Sequence, residues 1–265
     1  MKPFPKCSLV TPTYNWPEAL ELLLRSAENQ SYLPDELIIA DDGSSSETEK
    51  LINEFQKKST FPIIHLRHED KGNRKAKILN KAIAKAKYEY IIEIDGDIII
   101  NKYFIEDHLR LSQKGFYLYG SRVNIRKDFL TKLFRNKNLG FNLFSTGIQK
   151  RTRTIRLPLI TNFVKPVDVR SKKLRGCNMS FLREDFIKVN GFNENFQGWG
   201  MEDSEMIQRL HNIGIKGKRL KFSGIVYHIY HNEQSKSNVE KNLEIEKHTT
   251  QNKLTFIENG IDQYL

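Results

Sequence analysis

Asp95-Gly96-Asp97 sets two carboxylates one residue apart around a glycine that permits a tight bend. Such a pair can address one hard divalent cation, which keeps waters and takes further ligands from a substrate's phosphates. A cation there would neutralise a diphosphate on binding and on departure. The plainer alternative is a turn with two solvated acids. Thr11-Pro12-Thr13 and Asp41-Asp42-Gly43-Ser44 also end apolar runs, and three polar clusters along one sheet edge favour a small polar ligand. Glu202-Asp203 follows Gly198-Trp199-Gly200 at the start of an expected helix. A carboxylate whose proton affinity is raised by a neighbouring acid or by partial burial can take a proton from a hydroxyl. The alternative is that Glu202, Asp203 and Glu205 complement a helix dipole. Trp199 offers an apolar face to a ligand ring or serves as a core aromatic, and its flanking glycines would let the loop move. In Tyr227-His228-Ile229-Tyr230-His231 the neutral imidazoles suit Mn²⁺. Strand alternation would send His228 and His231 to opposite faces, so that one binds, with His228 favoured over His231. Either is otherwise a hydrogen-bonded structural histidine. Arg74 and Lys77, at the head of a helix, are candidates to hold a nucleotide or are solvated.

These groups need elements to position them. Apolar strands are expected over 7–11, 36–40, 63–66 and 90–94, each followed by a polar turn or a helix. Leu20, Leu23, Leu24 and Ala27 share a helical face, with Asn15 as its expected cap and Pro17 in its first turn. A second helix carries Leu51, Ile52 and Phe55, and a third spans 75–86. Strands alternating with helices of this length predict an α/β fold with a mainly parallel, twisted, Rossmann-like sheet flanked by helices. Further on, a strand is expected over 176–181, a short helix over 184–189, a helix ending near 213, short strands within 218–228 and a polar helix over 239–258.

With 265 residues, 38% hydrophobic content and two cysteines, the chain can bury a core but has no disulfide framework. No apolar run reaches membrane-spanning length and no signal peptide is evident at the start, which gives a cytoplasmic location as the expectation. No G-x-G-x-x-G or G-x-x-x-x-G-K-[ST] motif follows a strand, which argues against a dinucleotide-dependent oxidoreductase and a P-loop hydrolase. The net charge of +11 is concentrated: residues 122–175 hold 15 Lys or Arg against two Asp.

Ser8-Leu9-Val10-Thr11-Pro12-Thr13-Tyr14-Asn15, Asp41-Asp42-Gly43-Ser44 and Tyr90-Ile91-Ile92-Glu93-Ile94-Asp95-Gly96-Asp97 together resemble the nucleotide-binding half of family 2 glycosyltransferases. Gly191-Phe192-Asn193-Glu194 with Gly198-Trp199-Gly200-Met201-Glu202-Asp203 resembles the acceptor-side region of β-1,4-galactosyltransferases and chondroitin-polymerase-type enzymes. The resemblance implies a GT-A fold, a UDP-sugar donor, Mn²⁺ or Mg²⁺, and inverting transfer to a glycan or lipid-linked glycan, as in bacterial surface polysaccharide or lipooligosaccharide synthesis. It implies that Pro12, Thr13, Asp42, Arg74, Asp95 and Gly176 bind the donor, and that Asp97, Asp95 and a histidine of the 228–231 region hold the metal. By the same resemblance Asp203 is the base, and Glu202 binds the acceptor or donor sugar. Ile78-Leu79-Asn80 stands where relatives carry Ala-Arg-Asn. Cys177 is expected as a packed residue, since inverting transfer needs no covalent intermediate.

The chain thus divides into a nucleotide-sugar half (1–121), a basic amphipathic insert (122–173) and an acceptor half with a C-terminal helix (174–265), in one continuous domain. Within the insert, Phe129, Leu130, Leu133 and Phe134 recur at helical spacing among cations. That stripe suits peripheral binding to an anionic membrane at the inner face of the cell, or to a polyanionic glycan. Equally, its apolar side packs on the body and its charges are solvated. Nucleic acid is disfavoured because no known motif for it is present. Rival functions are a sugar-nucleotide nucleotidyltransferase, which lacks its glycine-rich phosphate loop here, and a non-enzymatic polyanion- or membrane-binding module.

Overall fold

The computed structural model describes residues 4–174, 176–196, 198, 200–232 and 238–265. The first half runs β1 (Cys7–Thr13), α1 (Pro17–Glu28), β2 (Glu36–Asp41), α2 (Ser46–Lys58), β3 (Ile63–Arg67), α3 (Lys75–Lys85) and β4 (Tyr90–Ile94). Then come β5 (Ile98–Ile100), α4 (Phe104–Leu111), β6 (Phe116–Tyr119), β7 (Arg122–Ile125), α5 (Leu130–Asn136), β8 (Ile148–Gln149) and α6 (Pro158–Thr161). The chain ends with β9 (Asn178–Leu182), α7 (Arg183–Lys188), α8 (Glu202–Asn212), β10 (Lys216–Arg219), β11 (Val226–His228) and α9 (Val239–Gln251).

The main sheet has the order β10-β6-β9-β4-β1-β2-β3, and only β9 runs antiparallel to its neighbours. Side-chain alternation along the strands splits the core between the two faces. Leu9, Leu37 and Ile92 meet α1, α2 and α4, whereas Val10, Ile38 and Ile91 meet α3, α7 and α8. With helices on both faces, the central strands read as near-continuous apolar runs. Their carboxyl ends share one rim, where Asp41, Thr13 and Asp95 follow one another along the order β2-β1-β4.

A second sheet, β5-β11-β7-β8, was not expected from the sequence. It pairs segments of two to four residues from distant parts of the chain, too short for alternation to register. The basic insert supplies β7 and β8, so it is built into the body. Its apolar stripe does not face a membrane: Leu133 is fully buried in a cluster with Val123, Ile148 and Tyr227, and Phe129, Leu130 and Phe134 pack against it. Asn15 does not cap α1, whose cap position is Trp16. Its side-chain Oδ1 instead accepts the Ser45 N–H at 2.7 Å, tying the turn after β1 to the turn after β2.

Candidate active site

A cleft of about 280 Å³ opens at the rim, lined by Pro12, Thr13, Tyr14, Trp16, Asp42, Gly72, Asn73, Lys75 and Asp95-Gly96-Asp97. Close approach of two strand ends shapes it. A Cβ on Gly96 would lie 2.4 Å from the Pro12 carbonyl oxygen, so the bend between the two aspartates can form there only with glycine. Asp42 is committed on both oxygens. Its Oδ1 lies 2.5 Å from His68 Nε2, and its Oδ2 accepts the Arg74 backbone N–H at 2.8 Å. Beside it, the Asp41 carboxylate takes the Gly43 and Ser44 amides and His65 Nε2 at 2.8 Å.

The cation facing this cleft is Lys75. Arg74 occupies the cap of α3, donates from its guanidinium to the Glu69 carbonyl, and lies with Lys77, Glu194 and Phe196 in a neighbouring cleft. Arg74, expected among the donor-binding residues, thus turns its side chain to the neighbouring cleft, and Lys75, one residue on and about one-third of a turn around, faces this one. Lys75 Nζ is 3.0 Å from Asp95 Oδ1 and 3.5 Å from Glu202 Oε1, so it links the two halves of the site. Although burial opposes its charge, Asp95, Asp203 and Glu202 hold Lys75 firmly protonated.

Asp97 faces another group. Its Oδ2 lies 3.4 Å from His228 Nε2 and 3.1 Å from His231 Nε2, and the three ligand atoms fall within 4.8 Å of one another. β11 ends at His228, so strand alternation does not carry on to His231 and both imidazoles reach the same carboxylate. The Nδ1 of His231 donates to the Asn232 carbonyl at 2.7 Å, which points Nε2 inward. Asp97 Oδ1 is shielded from solvent and has no hydrogen-bond partner among the described residues. One carboxylate, two imidazoles and an open carboxylate oxygen fit a divalent cation such as Mn²⁺, for which imidazole is the apter ligand than for Mg²⁺. Asp95, expected as a further ligand, is turned toward Lys75 instead. The hydrogen bond to Asp97 pushes His231 up to about 9, while burial holds His228 below the usual imidazole range.

Asp203 stands in the first turn of α8. A Cβ on Gly176 would meet Asp203 Oδ2 at 1.7 Å, and the Gly176 backbone hydrogen-bonds that carboxylate, so glycine is required for the contact. The other oxygen, Oδ1, is sheltered from solvent and unpartnered among the described residues. Burial, reinforced by Glu202 and Asp95 and opposed by Lys75, pushes the Asp203 carboxyl up to about 7. The helix is anchored well away from the cleft. Glu205, which the sequence offered as a dipole-complementing acid, forms a fully buried ion pair with Arg209 at 2.6 Å. Arg209 also donates to the Val189 and Gly191 carbonyls, and Thr249 of α9 donates to Glu205 at 2.8 Å. Just before α8, Met201 adopts φ of +77°, an uncommon conformation for a residue with a side chain.

Trp199 lies outside the described residues. Sequence reasoning did not single out Lys75, Trp16 or Glu93. Glu93 is fully buried on β4, two residues before Asp95, and burial with the nearby Asp203 drives its carboxyl well above the usual range. Only its position on the same strand face as Asp95 hinted at this. Burial pushes the Cys177 thiol up to about 12, which suits packing and not nucleophilic attack.

The family model for glycosyl transferase family 2 matches residues 8–172, and one described as the N-terminal domain of galactosyltransferase matches residues 161–232. Chondroitin synthase of Escherichia coli is 26% identical over 235 residues, covering 78% of this chain and 32% of that protein. Hyaluronan synthase of Pasteurella multocida is 26% identical over 259 residues, covering 92% and 26% respectively. The chain therefore spans about a quarter to a third of the length of these curated relatives. Among solved structures, S. aureus TarS 1–349 in complex with UDP aligns with a TM-score of 0.62 at 16% identity, covering 91% of this chain and 64% of that one. The mannosyltransferase PcManGT from Pyrobaculum calidifontis in complex with GDP-Man and Mn²⁺ aligns at 0.60 and 16% identity, covering 86% and 57%. The shared fold is of GT-A type.

Proposed function

The chain belongs to glycosyl transferase family 2, and on that premise we propose that it moves a hexose or N-acetylhexosamine from a UDP-sugar to a hydroxyl of a glycan or lipid-linked glycan, inverting the anomeric carbon. The chondroitin and hyaluronan synthases among its relatives support a polysaccharide as the acceptor, and the reading assigns the chain to bacterial surface polysaccharide or lipooligosaccharide synthesis. One observation carries the reading: the cleft that holds the Asp95-Gly96-Asp97 turn also holds Lys75, which pairs with Asp95 and Glu202 and neighbours Asp203, an acid held near neutrality.

In the proposed reaction the acceptor oxygen bonds to the anomeric carbon from the face opposite the diphosphate. The bond from that carbon to the phosphate oxygen breaks, and its electron pair leaves with UDP. The acceptor proton passes to Asp203 at Oδ1, which is unpartnered among the described residues. A base near pH 7 is matched to this transfer, ionised often enough to act and basic enough to pull. Glu202, paired to Lys75, orients the sugar hydroxyls, and Pro12, Thr13 and Asp42 border the nucleoside. A divalent ion on Asp97, His228 and His231 would supply positive charge against the departing diphosphate. Gly176 serves by letting Asp203 approach.

The test is to incubate the protein with a panel of UDP-sugars, Mn²⁺ and glycan acceptors and to follow UDP release and product anomer by NMR. The proposal expects release with at least one donor and a β-linked product from an α-linked donor. Silence across the panel, or retention of configuration, contradicts it.

A further inference from the structure

The segment that follows β8 carries an unusual surface. Leu157 donates its backbone N–H to the Phe222 carbonyl at 2.8 Å. Thr161, fully buried, places its Oγ1 2.6 Å from the Lys221 carbonyl and 3.0 Å from Ser223 Oγ. These ties pin the inward side of α6, and the outward side is apolar. Leu159 is 71% exposed, Phe163 84% and Val169 67%, with Leu157 and Ile160 also exposed. Scattered single hydrophobics are normal on a soluble surface, but five exposed within thirteen residues of one segment call for a partner.

Charge identifies the partner. Residues 150–173 hold eight Lys or Arg against one Asp, and Arg151, Arg153, Lys165, Lys172 and Lys173 are exposed. A second copy of this chain would set cation against cation. A polyanionic glycan would satisfy the charges and leave Phe163 and Leu159 in water. An anionic bilayer answers both, since apolar side chains enter the acyl boundary while the cations meet headgroups. We propose that α6 and the residues to Val169 form a docking surface for an anionic membrane.

The placement is apt. The 221–223 segment that anchors α6 leaves the carboxyl end of β10, on the same rim as the cleft. Gly224 then accepts a hydrogen bond from Asn178 at 2.8 Å, two residues beyond the Gly176 that touches Asp203. Docking there sets that rim beside the bilayer, where a lipid-linked acceptor would be met; this step alone rests on the proposed glycosyl transfer.

Co-sedimentation with phosphatidylcholine vesicles, plain or containing about one-third phosphatidylglycerol, tests the proposal at about 0.1 M salt. The full chain should bind the anionic vesicles about tenfold or more tightly than the neutral ones. Leu159→Ser with Phe163→Ser should weaken that binding about tenfold or more. Lys165→Glu with Lys172→Glu should weaken it and flatten its dependence on salt. Both pairs lie on the surface, so the thermal transition and UDP release with a soluble acceptor should hold. Equal binding to both vesicles, or apolar variants that bind as the parent does, overturns the proposal. So does a shift from dimer to monomer in sedimentation velocity on Leu159→Ser, which would make the occupant a second copy. Vesicle binding needs no donor, so a parent chain that releases UDP but does not bind anionic vesicles refutes the surface alone, and a parent that binds them but releases no UDP refutes the catalytic reading alone.

Discussion

Asp203 lies beside Lys75 and Asp95 and His231 beside Asp97, and each is displaced from its ordinary titration by its surroundings. Lys75 favours the ionised form of Asp203, so removing that cation must raise the carboxyl further. In Lys75→Gln the acidic limb of the pH–rate profile should therefore move upward, with more activity lost at pH 7 than at pH 9. A limb that stays in place would detach Lys75 from the base. His231, lifted to about 9 by Asp97, carries a proton at neutral pH that a metal must displace. Mn²⁺ affinity should rise about tenfold per pH unit between pH 6 and 8 as one proton is released. Calorimetry in buffers of different ionisation enthalpy measures this, and pH-independent affinity would remove His231 from the ligand set. These residues were unevenly legible. The aspartates announce themselves by ending apolar strands. Whether Arg74, Lys75 or Lys77 faces the cleft depends on where α3 begins, which a run of cations does not disclose.

At the level of elements, the insert shows how one pattern serves two readings. Phe129, Leu130, Leu133 and Phe134 recur at helical spacing whether they meet lipid or protein, and periodicity cannot tell which. The second sheet decides it, because β7 and β8 need a covering layer and α5 supplies one. Leu133→Ala should cost about 2–5 kcal/mol, seen in chemical denaturation, while vesicle binding should be unchanged. A substitution without effect on stability would return this stripe to the surface. Parallel strands β1, β2 and β4 and helices α1–α3 were readable because each is a long run with its own period. The pairing of β5, β7, β8 and β11 was not, since strands of two to four residues, two of whose three pairings span more than a hundred residues, leave no local period. His231 was misplaced for a related reason: the expected strand stops three residues short of it.

Across the whole molecule, a parallel sheet gathers the ends of β1, β2 and β4 on one rim, and α8, anchored by the Glu205–Arg209 pair, brings Asp203 to it from the far half. Residues 95 and 203 are remote in sequence, and no spacing rule joins them. The fold does so through Lys75, which touches both sides. The basic excess, in turn, is divided between solvated faces and the cations around α6. The central claim is that Asp203 works on the acceptor and not on the donor. Measuring UDP release and UDP affinity side by side for the parent and Asp203→Asn tests it most directly. Turnover should fall by about 10²–10⁴-fold while the UDP dissociation constant stays within about twofold. Turnover equal to the parent, or UDP binding lost along with it, would contradict the assignment of the base.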